Sequence, residues 1–139
     1  MWLMKNILCT LLLLVSLTSF SQSKDTTISS EDDARVFTIT EIPPSFPGGD
    51  IAWTKYIKKK LQARSNDLSD LDYGTCHVRF IVRIDGKVTN VQAMDMRGSL
   101  LAEIAEDAIQ NGPDWIPAQQ NGRKVNAYTI QPVIAVKPN

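Results

Sequence analysis

Residues 74–94 read GTCHVRFIVRIDGKVTNVQAM, and the fold turns on this stretch. Val78, Phe80, Val82 and Ile84 put an apolar side chain at every second position, with His77, Arg79 and Arg83 between them. Such alternation marks a strand with one face buried. Asp85-Gly86 interrupts the run. An Asp-Gly pair accepts positive φ at both turn centres, so the chain is expected to reverse into residues 87–94 as a tight hairpin. The returning strand carries Val88, Val91 and Ala93, and the odd step from Val88 to Val91 slips the alternation by one residue. That slip predicts a β-bulge near Thr89-Asn90.

C-terminal to the hairpin, Ser99 is a helix cap, and Leu100, Leu101, Ile104, Ala105, Ala108 and Ile109 form an apolar stripe at helical spacing. Glu103, Glu106 and Asp107 read as its wet face rather than as paired catalytic carboxylates. Asn111-Gly112-Pro113 ends the helix, with Gly112 suited to a left-handed C′ position and Pro113 unable to continue. Trp115, Pro117 and an Asn121-Gly122 turn follow, and residues 124–136 read as a last strand. Val125, Ala127, Thr129 and Gln131 lie on one of its faces and Asn126, Tyr128 and Ile130 on the other. Pro132 has no N–H for a ladder, which favours an edge, a bulge or a strand end there.

On the other side of the hairpin, Pro43-Pro44-Ser45-Phe46-Pro47-Gly48-Gly49 stiffens and then frees the backbone before a helix for which Asp50 is the expected N-cap. Trp53, Ile57 and Leu61 share one face of it, while Lys55, Lys58, Lys59 and Arg64 spread over the remainder as a solvated side. Residues 64–72 are polar and read as a loop longer than the usual connection. Residues 22–35 are rich in Ser, Thr, Asp and Lys and read as a flexible leader.

Residues 1–21 carry Lys5, an apolar run and Ser19-Phe20-Ser21, the pattern of a secretory signal peptide. As a helix the run over residues 7–20 would span about 21 Å, short of a hydrocarbon core of about 30 Å. An exported, periplasmic product is therefore expected, the alternative being an uncleaved inner-membrane anchor. Without that segment the chain has 14 basic and 15 acidic residues, so no charge bias draws it to nucleic acid or anionic membrane. Cys76 is then its single cysteine, with no partner for an intramolecular disulfide.

No catalytic constellation emerges. Cys76 and His77 are strand neighbours on opposite faces and cannot pair as nucleophile and base. The chain's one His has no Cys or His partners at ligand spacing, so neither a metal nor a cofactor is expected, and no small-molecule substrate is evident. Gly48-Gly49 lacks a phosphate-binding fingerprint and reads as a structural turn. Trp53 and Trp115 read as core.

Taken in order, Pro44-x-Phe46-Pro47-Gly48-Gly49, the helix after it, Gly74 with its alternating strand, Asp85-Gly86-Lys87-Val88-x-x-Val91, the second helix, Trp115-x-Pro117, Gly122 and Pro132-Val133 resemble the TonB C-terminal domain in its Bacteroidetes-type form. The resemblance runs from about Phe37 to Val136 and implies one α+β domain over residues 36–139: a three-stranded antiparallel sheet with two helices packed on one face. It also implies a protein-interaction module rather than an enzyme. The partner would be a protein or peptide, such as a segment of an outer-membrane transporter, gripped as an added strand. On this sequence the pairing edge would be Lys124, Val125, Asn126, Ala127, Tyr128, Thr129, Ile130 and Gln131. The alternatives are an energy transducer that keeps its N-terminal anchor and a self-associating module, a homodimer through the same edge, with no transport role.

Overall fold

The computed structural model describes residues 34–138. The expected signal peptide and most of the leader lie outside the described residues. The elements are β1 (Val36–Phe37), α1 (Gly49–Ala63), β2 (Gly74–Val82), β3 (Val88–Ala93), α2 (Leu100–Gln110), β4 (Ala118–Gln120) and β5 (Arg123–Ala135). The expected antiparallel core is present as β5-β2-β3, with the last strand paired along the whole of β2, from Gly74 opposite Ala135 to Val82 opposite Ala127. Two short strands extend the sheet, and the first of them makes it mixed rather than purely antiparallel. β1 runs parallel to β5 at Asn126 and Ala127, and β4 forms a hairpin with residues 123–125.

Both helices pack on one face of this sheet. Cys76, Val78, Phe80 and Val82 from β2, with Val133 and Ala135 from β5, meet Trp53 and Ile57 of α1 and Leu101, Ala105, Ala108 and Ile109 of α2. Phe46, Trp53, Tyr56, Phe80 and Trp115 form the aromatic centre, with Phe80 and Trp115 centroids 4.9 Å apart at an angle of 69°. The two tryptophans are thus core residues, as their positions predict.

The β2–β3 connection departs from the expected two-residue turn. Gly86 N donates to Arg83 O and Arg83 N to Lys87 O, and only Gly86 has positive φ, at 84°. Ile84-Asp85-Gly86 is therefore a three-residue loop with glycine at the left-handed position. The bulge falls where the spacing puts it. Arg79 faces Gln92 and Ile81 faces Thr89, leaving an extra residue on β3, and Asn90 takes φ 54°.

Ser99 caps α2 by accepting from Ala102 N at 3.1 Å. Asp50 does not cap α1. The helix starts two residues earlier behind Gly48 at φ 87°, and Asp50 lies in the first turn, where its charge suits the helix dipole. The 64–72 stretch holds two short 3₁₀ turns, at Ser65–Asp67 and Asp70–Asp72, rather than an open loop.

Candidate functional site

A sheet can add a strand only where a strand side is unpaired, so the two outer sides of this one decide what it can do. On β3 the outward groups of Ala93 are covered. Ala93 N donates to Glu106 Oε1 at 2.6 Å, and Ala93 O accepts from Arg97 Nε at 2.9 Å. With the bulge at Asn90 beside it, this edge is blunted. Glu106, read from sequence as wet surface, is the residue that does much of the covering.

The other outer side belongs to β5. Met94 N donates to His77 O and His77 N to Asp95 Oδ1, so the backbone groups of His77 face β3. Alternation along β2 then turns Cys76, Val78 and Phe80 toward β5, where they bond their partners Val133, Gln131 and Thr129. By the same alternation the backbone groups of Tyr128, Ile130, Pro132 and Ile134 point away from β2. Beyond Ala127, as far as Ala135, no strand lies on that side among the described residues. Pro132 sits in this outward set opposite His77, so its missing N–H costs the β2–β5 ladder nothing.

The side chains of the same four residues lie on the sheet face away from the helices. Tyr128 is 37 % exposed, Ile130 48 % and Ile134 56 %. The Arg79 guanidinium lies over the Tyr128 ring, 5.7 Å from its centroid. Thr38, Arg79, Met94, Tyr128, Thr129 and Ile130 line an open cleft of about 590 Å³ on this side. Beside Pro132, His77 Nδ1 is 2.7 Å from Asp95 Oδ2. The His77 backbone N–H, and then its ring, hold the Asp95 carboxyl below its ordinary pKa.

The eight residues of the expected edge are thus not equivalent. Lys124 and Val125 are in the β4 hairpin, and Asn126 and Ala127 carry β1. Thr129 and Gln131 turn their backbone groups to β2 and only Tyr128 and Ile130 turn theirs outward. Ile134, outside the expected stretch, belongs with them.

The other candidates are structural. Cys76 is fully buried, its Sγ 3.6 Å from Asp95 O, and burial first, then the nearby Asp95 and Glu106 charges, push its thiol up to about 11. A thiol held protonated is a poor nucleophile. Glu103 pairs with Arg64 and Asp107 with Asn111. Among the described residues no group of three or more His, Cys, Asp or Glu could hold a metal ion, and no helix is long and apolar enough to cross a membrane. At Gly48 a Cβ would come 2.8 Å from the Ala52 Cβ, a packing reason for glycine there.

An α+β fold with one strand side bulged and partly covered by its own side chains, and the other left open beside an apolar row, has the geometry that strand addition in small interaction domains uses. Residues 70–134 match the family described as Gram-negative bacterial TonB protein C-terminal, and over that segment the chain is a TonB C-terminal domain-like protein. The match takes in β2, β3, α2, β4 and nearly all of β5, and leaves out β1 and α1. The family is one of envelope-associated domains that act through contacts with other proteins. Comparison with curated proteins and with solved structures gave no match.

Proposed function

We propose that this protein is a periplasmic interaction module that takes up an extended peptide of a partner as an additional strand on β5, along residues 128–135. In this way it serves TonB-dependent transport across the outer membrane. The observation that carries the reading is the unpaired side of β5, beside a β3 edge that is bulged and covered. Each backbone bond made there contributes about 0.5–1.5 kcal/mol net, and the apolar row of Tyr128, Ile130 and Ile134 contributes cross-strand packing of roughly 0.2–1 kcal/mol per pair. Export through residues 1–21 belongs to the same proposal and puts the module where transporter segments are reachable.

The test uses synthetic peptides covering the periplasm-facing segments of the outer-membrane transporters of the same cell. They are titrated against the full chain while backbone amide resonances are followed. Shifts confined to residues 128–135, lost in Ile130→Pro while tryptophan fluorescence reports an intact core, are the expected result. Ile130 is the position to choose because its N–H points outward, whereas proline at Thr129 would break the β2 ladder. Binding that survives Ile130→Pro and Ile134→Pro would overturn strand addition. An inner-membrane location with an intact N-terminus would turn the reading toward the anchored transducer.

A further inference from the structure

Resting on that strand-addition reading, we propose that β1 is the register stop of the open edge and that Asn126 and Phe37 hold it in place. A strand added to a sheet edge can slide, and a slip of one residue moves every side chain to the opposite face. An edge that must read a particular peptide therefore needs something that fixes where the added strand ends. β1 occupies that position.

Ala127 is flanked on both sides, by Val82 of β2 and by Phe37 of β1, and because this parallel pairing engages the outward groups of Asn126 and the Tyr128 N–H, the unpaired side begins at the Tyr128 carbonyl. Val36-Phe37-Thr38-Ile39-Thr40 is rich in β-branched residues and would continue along Tyr128 and Ile130 if nothing diverted it. It is diverted. Glu41 N donates to Gln120 Oε1, the two Glu41 carboxylate oxygens accept from Gln120 Nε2 and Asn121 N, and Ile42 exchanges backbone bonds with Gln119. The chain thus leaves the edge after two paired residues, and Thr38 becomes a wall of the cleft that Tyr128 and Ile130 also line.

Two side chains secure what remains on the edge. Asn126 is a polar residue only 3 % exposed in a strand whose next outward residues are apolar. Its Oδ1 accepts from Ile84 N at 2.9 Å and its Nδ2 donates to Arg35 O at 3.4 Å, so one amide ties the chain just past β2 to the start of β1. Phe37 packs on Ala118, Val125 and Ala127, with the Arg35 guanidinium 5.0 Å from its ring centroid. A partner strand running along β5 meets Phe37 end on and must stop or turn beside Thr38. The stop decides which of its residues face Tyr128, Ile130 and Ile134, so the short strand that precedes the family match acts as a specificity determinant.

The experiment uses the full chain. Short random-sequence peptides displayed on phage are selected against it, and the amides they protect from hydrogen exchange are mapped on wild type and on Phe37→Asp. In wild type every footprint on β5 should begin at Ile130, whatever the peptide. In Phe37→Asp without peptide, exchange at the Asn126 and Tyr128 amides should rise roughly tenfold or more as β1 detaches, and bound peptides should then protect both as well. Should Phe37→Asp fail to fold, Asn126→Asp keeps the acceptor for Ile84 N and sets an oxygen against Arg35 O, which loosens β1 without removing the Phe37 side chain. Wild-type footprints that run past Ile130 toward Asn126, or footprints that the variants leave unchanged, would overturn the register stop and leave strand addition standing. Selection of no peptide that protects β5 would remove both.

Discussion

Asp72 has both carboxylate oxygens occupied: Oδ2 accepts from Ser69 N and Ser69 Oγ, and Oδ1 accepts from Leu100 N in the first turn of α2. The Ser69 hydroxyl first, then the backbone N–H groups of Ser69 and Leu100, hold its carboxyl below the ordinary 3.8. A carboxyl whose folded pKa is depressed stabilises the fold above its unfolded pKa, and that contribution is lost as pH falls through the folded value. Asp72→Asn should therefore be less stable than wild type at neutral pH. Its urea midpoint should also fall less steeply with acid below the ordinary carboxylate range. Cys76 works in the opposite sense. Its thiol, raised from 9.0 to about 11, favours the fold below its unfolded pKa and loses that contribution as pH rises from 9 to 11. The urea midpoint should decline over that interval more in wild type than in Cys76→Ala, and iodoacetamide should label Cys76 only after denaturation. Neither role is legible in the sequence. Asp72 ends a polar run and takes its chemistry from the hydrogen bonds of Ser69 and Leu100, whereas Cys76 sits in an ordinary alternating strand and takes its chemistry from burial in the core.

At the scale of elements, the alternation of Val78, Phe80 and Val82, the stripe of α2 and the slip at Asn90 were readable because each is a local periodicity. What the glycines do was less readable. Gly112 was expected at a left-handed C′ position, yet it needs glycine for closeness: a Cβ there would stand 2.4 Å from Ala108 O and 2.9 Å from Tyr56 Oη, the hydroxyl that also donates to Ala108 O. The two hairpin glycines separate strain from collision. Gly86 has φ 84° and a Cβ would come 2.6 Å from Trp115 O, whereas Gly122 has φ 72° and open space around it. Gly122→Ala should cost only the left-handed penalty of about 1 kcal/mol, and Gly86→Ala about 3 kcal/mol, because the loop must also lift off Trp115. Urea denaturation of the two variants checks this, and equal losses would mean that the Gly86–Trp115 contact is soft.

For the whole molecule, the aromatic centre joins α1, the hairpin loop and the sheet. Trp115 lies between Phe46, Trp53 and Phe80 while its N–H bonds Gly86 O. Trp115→Ala should lose about 3–5 kcal/mol, a large share of the roughly 5–15 kcal/mol that holds a domain folded. Far-UV circular dichroism during a thermal melt would show it. The ion pairs Arg64–Glu103, Lys87–Asp114 and Lys137–Asp70 are all exposed, and solvent screening leaves each with little weight in stability. Raising the salt concentration should therefore leave the melting temperature nearly unchanged. A large drop would show that surface charge, and not the aromatic centre, dominates.

The sequence by itself determined the β2–β3 hairpin, the last strand, the two helices and the core tryptophans, because periodicity, turn residues and caps act over a few neighbours, while the α+β class with its three-stranded antiparallel sheet came from the family resemblance. Only the tertiary structure decided which side of the last strand stays open. That depends on residues far apart in the chain, since β2 claims the backbone groups of Thr129, Gln131 and Val133, and β1, about ninety positions before its partners, closes the head of the other side at Asn126 and Ala127. Alternation along one strand tells which side chains are buried. Which backbone groups remain for a partner is set by the strands that arrive on either side.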